Sequence, residues 1–255
     1  MLRFLSYSNT MSDFLPFLAI ALLAAGLTWL GAPAAERLNV SNRVVSAALQ
    51  FAAGIITALV ALSLMPPAVR EGSTVIIAVA FFVGGAIYVL FEYYTARRLA
   101  KRAAAGGPSN VTSIGLYVGI LIDLIIDGVV IGIGATLSLT TGLLLALGMA
   151  ISTAPLAFVT TSTARRQGIS PTRRRQLSLA YFLCVLGGAL LGFLLLRDTA
   201  PGLRFALVAL ASGFLITTVT QSIIPEANKE GEPSFAGILF LAGILIYALL
   251  SVTVK

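Results

Sequence analysis

The chain has 255 residues, of which 58% are hydrophobic and 11% charged, and its mean hydropathy is +0.98. Soluble domains carry roughly 25% charged residues, so most of this chain is built to meet lipid. With no histidine and one cysteine, histidine general-base and triad chemistry and an intrachain disulfide are excluded, and an enzyme is not expected.

Eight apolar runs, each near the roughly 20 residues that cross the hydrocarbon core as helix, are predicted at about 13–34, 44–66, 73–96, 112–137, 140–163, 176–196, 202–225 and 234–254. Their apolar residues are continuous rather than alternating, which selects helices over barrel strands. The expected fold class is all-α: a polytopic membrane protein with residues 1–255 as a single transmembrane domain. The first run lies between Arg3 and Ala32-Pro33-Ala34, a pattern loosely like a cleavable signal peptide. It exceeds the roughly 7 to 15 apolar residues of a signal core and is read as a span. In the third run, Glu92 is expected to snorkel to the inner end or pair with an Arg, and Ala103 to Asn110 reads as a flexible linker.

The fourth run holds Asp123 and Asp127. Each ionised carboxylate at the centre of a spanning helix costs about 2.5 to 3.5 kcal/mol. A spacing of four puts both on one helix face, one turn apart, where they can grip one cation or share one proton; a structural proton-sharing pair is the ordinary alternative. Gly115, Gly119, Gly128 and Gly132 form small-x-x-x-small rows, as do Gly188 and Gly192 in the sixth run, and these favour close helix packing. In the fifth run, Ser152 and Thr153 are weaker candidate ligands, for hydroxyls in helices usually bond their own backbone, and Pro155 implies a kink. The sixth run offers no carboxylate, only Ser178, Tyr181 and Cys184.

The seventh run aligns with the second. Phe51 to Ala68 lies over Leu210 to Ala227 at an offset of 159 residues, matching Ala52, Gly54, Ser63, Pro66 and Ala68 to Ala211, Gly213, Ser222, Pro225 and Ala227. Gln221 and Ser222 are secondary candidates for the pathway or for interhelical hydrogen bonds, and Glu226 is expected at the cytoplasmic mouth. Twelve of the 17 Lys and Arg residues fall on the connections that follow the first, third, fifth and seventh runs. Such loops stay in the cytoplasm, so both termini are expected outside a cell membrane. The basic runs 97–102 and 165–175 thus need no nucleic-acid partner, while leaving room for attraction to anionic lipid. In this topology the second span runs outward and the seventh inward, as an inverted repeat of the kind found in secondary transporters requires.

Together these residues resemble the ZIP (Zrt/Irt-like) family of divalent metal transporters over nearly the whole chain. The likeness rests on eight spans in a three-two-three arrangement, Ala-Ala-Gly-Ile-Ile at 52–56, Pro-Glu-Ala at 225–227 and the acidic-Gly motif of the fourth span. The family's fourth-span His-Asn-x-x-Glu/Asp-Gly signature is met by Asp123-Leu-Ile-Ile-Asp-Gly128, with Asp123 at the His position and Asp127 at the acid's. Its fifth-span His/Gln-Glu/Asp-x-Pro-Glu/His signature meets Ser152-Thr-Ala-Pro155-Leu156, which keeps only the Pro. The resemblance implies a divergent member with a degenerate site, moving zinc, manganese or a similar divalent cation by alternating access, without a cofactor, as a homodimer in the bilayer. Oxygen ligands alone favour Mg, Mn or Ca. The alternatives are a non-transporting scaffold or regulatory membrane protein, and a proton-coupled carrier of an organic solute.

Overall fold

The computed structural model describes the backbone of residues 2–38, 40–104, 111–197, 199–229 and 235–253, and their side chains apart from 2–13 and 98–119. Among them are eight helices long and apolar enough to cross a membrane, and no strand. They are α1 (Leu2–Arg37), α2 (Asn42–Glu71), α3 (Thr74–Ala104), α4 (Val111–Leu137), α5 (Leu139–Arg166), α6 (Pro171–Leu196), α7 (Pro201–Lys229) and α8 (Ala236–Thr253). Each expected run corresponds to one helix. The expected linker lies outside the described residues except for Ala103 and Ala104, which end α3.

Several helices outrun their apolar stretch at the basic end. Arg and Lys are good helix formers, and their heads reach water while the backbone stays hydrogen-bonded. Local chemistry then sets the boundaries. At the start of α5, the Ser138 hydroxyl accepts the Thr141 N–H at 3.0 Å, an N-cap. Its far end closes when Gly168 turns to φ 73°, with its N–H donating to the Arg165 carbonyl and that of Ile169 to the Ala164 carbonyl. That conformation suits glycine because it has no Cβ. Pro171, with φ already set for a first helical turn, then opens α6.

Two helices carry a π turn, at Val60–Leu64 in α2 and Val219–Ile223 in α7. In each the closing amide reaches five residues back, Met65 to the Val60 carbonyl and Ile224 to that of Val219. Pro66 and Pro67 follow the first and Pro225 the second. A proline has no N–H for the carbonyl four residues earlier, so the ladder is free to widen there.

Packing divides the helices into an inner and an outer set. In the most apolar stretches of α2, α4, α5 and α7, 56 to 67% of residues are buried, against 17% in α3 and α8. Side chains such as Val75, Phe82, Ile238 and Val252 accordingly stand exposed on α3 and α8, as expected of lipid-facing surface. The closest pairs are α4 with α6, α1 with α5, α3 with α7 and α2 with α8. Glycine permits all four approaches, Gly31 of α1 lying against the Ala154 carbonyl of α5. A Cβ on Gly54 would overlap the Phe240 carbonyl oxygen and one on Gly243 that of Phe51, between α2 and α8. Between α3 and α7, Gly84 meets the Leu210 carbonyl and Gly213 that of Phe81 in the same way. The rows Gly128/Gly132 and Gly188/Gly192 face each other across α4 and α6, while Gly115 and Gly119 lie outside the described side chains.

Candidate cation site

Close α4–α6 packing fixes the rotation of α4. Gly128 touches the α6 backbone, and the preceding residue, Asp127, is buried at 3% exposure, with Asp123 one turn earlier at 8%. Thr218 on α7 donates its hydroxyl towards Asp123 Oδ1 at 3.4 Å. The same hydroxyl lies 3.1 Å from the Phe214 carbonyl, so one proton is divided between two acceptors and the bond to Asp123 is weak. Asp127 Oδ2 is buried without any hydrogen-bond partner among the described residues. Nor does a Lys or Arg among them form an ion pair with either carboxylate.

Two buried carboxylates without a counter-charge cost several kcal/mol per ion. A proton or a bound cation is the remaining source of compensation, and a fully ionised pair matches the charge of one divalent cation. Asp123, though not Asp127, also lines a cavity of about 150 Å³. Its walls are Tyr88, Phe91, Glu92 and Thr95 of α3, Ile120 of α4, Leu156 of α5, and Phe214, Thr218 and Ser222 of α7. From Asp123 it runs towards the ends of α3 and α7 that bear Arg97 and Lys229. Tyr88 stands edge-on to Phe214 with ring centroids 5.0 Å apart, and its hydroxyl interacts with those of Ser222 and Thr218. Every polar side-chain atom lining the cavity is an oxygen. Among the described residues, no three His, Cys, Asp or Glu side chains converge on a point that would enclose a metal. Protein ligands would therefore be the two carboxylates and neutral hydroxyls, with water completing the shell, an arrangement that suits Mg or Mn better than zinc.

The other sequence candidates separate. Ser222 joins Asp123 at the cavity, whereas Ser152 and Thr153 both donate to the Met149 carbonyl at 2.8 Å, and Thr153 also meets Thr28 of α1 at 3.0 Å. They bind α5 to itself and to α1, and neither lines the cavity. Their neighbour Leu156 reaches it instead as an apolar wall. Gln221 is exposed, and Glu226 pairs with Lys229 at 3.1 Å.

Tyr88, Glu92 and Thr218 were not among the candidates read from sequence, yet all three line the cavity. A signal for them exists: Tyr88 with Glu92 and Thr218 with Ser222 are each four apart, the spacing that singled out Asp123 and Asp127. Glu92 sits beside the mouth, where a carboxylate concentrates cations without holding one. If the cavity admits a transported cation, Glu92→Gln is expected to raise the half-saturating concentration about threefold to tenfold with little change in maximal uptake, an effect that shrinks in high salt. Uptake curves at two ionic strengths measure it.

No protein-family model matches this chain, and no curated protein matches it. The site is therefore read from its own chemistry.

Proposed function

We propose that this chain is a secondary membrane carrier of divalent cations, with Asp123 and Asp127 as its charged ligands. One observation carries the reading: a buried carboxylate pair without a protein counter-charge, one member of which, Asp123, lines a cavity whose polar side-chain atoms are all oxygens. Thr218 supplies a neutral oxygen beside Asp123, and Tyr88 and Ser222 continue the path towards the basic end. No nucleotide-binding motif is present to power a pump, so the ion moves down its own gradient or with a coupled one.

Alternating access in this reading comes from a three-two-three arrangement, with α1–α3 and α6–α8 as inverted repeats around α4 and α5. Support comes from features that recur at the 159-residue offset. The two π turns are so related, and so are the glycine crossings, in which Gly54, Phe81, Gly84 and Phe51 correspond to Gly213, Phe240, Gly243 and Leu210. Tyr88 beside Ser222 has its counterpart in Tyr247, whose hydroxyl donates to Ser63 at 2.8 Å. These equivalent places differ in one respect. Tyr88, 8% exposed, borders the cavity, while Tyr247 is 1% exposed and packs its ring against Gly148 beside Leu59. We read the Tyr88 end as the accessible one and the Tyr247 end as the shut one. With the basic loops in the cytoplasm and both termini outside, that reading is of a carrier facing inward.

The shut end makes its own prediction. Tyr247→Phe removes one hydrogen bond worth about 1 kcal/mol, so the balance between the two access states should move about fivefold. A severalfold change in the maximal uptake rate of a folded variant is expected; an unchanged rate would remove Tyr247 from the gate. The function itself is tested by uptake of Mn, Mg, Ca and Zn ions into proteoliposomes. Saturable uptake of at least one ion is expected, with Mn or Mg ahead of Zn. No uptake of any ion by folded protein across several pH values would turn the reading to a scaffold or an organic-solute carrier.

A further inference from the structure

A second and larger cavity, about 420 Å³, lies away from the carboxylate pair, between α1, α5 and α6. Its walls divide by chemistry. Trp29, Ala32 and Pro33 of α1 make an apolar side, and Arg37, Arg174 and Arg175, with Glu36 among them, gather at its other end. Arg174 is engaged: its guanidinium grips both Glu36 carboxylate oxygens, at 2.6 and 2.9 Å, and also donates to the Ile169 carbonyl. Arg165 fixes the same corner by donating to the Glu36 carbonyl at 3.0 Å. That clamp holds the cavity wall and neutralises Glu36. Arg37 and Arg175 remain exposed, so three guanidiniums face one carboxylate and the site keeps a net positive charge.

We propose that this cavity binds one anionic phospholipid, with the phosphodiester between Arg37 and Arg175 and the upper acyl chains along Trp29 and Pro33. The argument is the match of two chemistries to one molecule. Basic pockets between spanning helices at the cytoplasmic side suit anionic head groups, and here the charged end coincides with the helix ends that bear most of the chain's basic residues. Trp29 lies eight residues inside Arg37, about 12 Å along the helix. That places an interfacial tryptophan at the depth where a lipid passes from head group to chain. A free phosphate would use only the Arg end and leave the exposed Trp29 and half-buried Pro33 uncovered, so the lipid fits the whole cavity better. This site is independent of the carboxylate pair and does not need the carrier reading to be right.

Trp29 is the only tryptophan of the chain, so it reports on its own cavity. Purified protein in neutral detergent micelles is titrated with phosphatidylglycerol or phosphatidylcholine brominated on the upper acyl chain, and quenching of tryptophan fluorescence is read. Phosphatidylglycerol should reach half-quenching at about one-fifth of the mole fraction needed for phosphatidylcholine, or lower. The Arg37→Gln, Arg175→Gln double variant should lose this preference, the Arg37→Lys, Arg175→Lys variant should keep most of it, and Arg43→Gln, outside the cavity, should leave it intact. Equal quenching by the two lipids overturns the proposal, as does a preference that survives the double Gln variant. A change in Trp29 emission produced by inorganic phosphate but not by chloride of equal ionic strength, without lipid preference, would reassign the cavity to a free anion and overturn the lipid.

Discussion

Replacing Asp123 and Asp127 together by Asn is expected to bring cation uptake down to the level of protein-free vesicles while making the metal-free protein more stable. The two effects have opposite signs for one reason. In the bilayer interior the pair lacks protein counter-charge, and Asp127 Oδ2 lacks even a hydrogen bond among the described residues. Such carboxylates are poor structural groups and good ligands. Loss of only about 1.4 kcal/mol of cation binding at each carboxylate gives a hundredfold fall in uptake at sub-saturating cation. Removing buried uncompensated charge should at the same time stabilise the fold by about 1 to 3 kcal/mol. Metal linkage separates the effects further. Cation at about a hundred times its dissociation constant should stabilise the wild type by about 2.7 kcal/mol and leave the Asn variant's melting temperature unmoved. A variant that transports like the wild type would sink the carrier reading. One that fails to transport but melts at a lower temperature, with no metal shift in either protein, would make the pair structural.

Spans and acids were legible in the sequence because both depend on local properties. Roughly twenty apolar residues must form a helix in lipid whatever lies beside them, and a spacing of four fixes a shared face before any partner is known. Which side chains on other helices meet that face is a long-range matter. Ser152 and Thr153 sit where a family signature would place ligands, yet their hydroxyls turn to the Met149 carbonyl and to Thr28, while Leu156 reaches the cavity. Thr218 meets Asp123, and Glu92 shares its cavity, because α3 and α7 cross closely at glycines.

Beyond the second and seventh spans, Phe81-x-x-Gly84-x-x-x-Tyr88 and Phe240-x-x-Gly243-x-x-x-Tyr247 share the same offset. Common apolar residues hid that second correspondence, and its meaning is plain only where each Gly meets a carbonyl of the partner helix. The basic residues show the same limit. Arg165 to Arg175 read as a topology signal, while the Arg174–Glu36 clamp depends on how α6 lies against α1.

Alanine at Gly54, Gly84, Gly213 or Gly243 is expected to destabilise the protein by about 1 to 3 kcal/mol each, and the four losses should match in two pairs. At every one of the four the obstacle to a Cβ is the backbone carbonyl of a facing helix. A side chain can swing aside, but a backbone moves only if the whole helix does, so overpacking there is resisted by all the contacts of the pair. Gly26 and Gly187 provide the contrast, for no atom lies within 4 Å of a Cβ added at either. Alanine at those two positions should be neutral or stabilise by up to about 1 kcal/mol, the helix-propensity gain alone. Thermal unfolding in detergent orders the six variants. If α2–α8 and α7–α3 are equivalent crossings, Gly54→Ala and Gly213→Ala should fall together, as should Gly84→Ala and Gly243→Ala. A difference above about 1 kcal/mol within either pair breaks the proposed repeat. Uptake adds a second reading of the same variants. The α3–α7 crossing brings Tyr88 and Thr218 together at the cavity, and the α2–α8 crossing brings Tyr247 to Ser63. Under alternating access both ends must open and shut in every cycle, so Gly54→Ala should slow uptake as much as Gly213→Ala even though Gly54 lies outside the open cavity. A fixed, one-sided cation pocket would lose activity only with Gly213→Ala and Gly84→Ala.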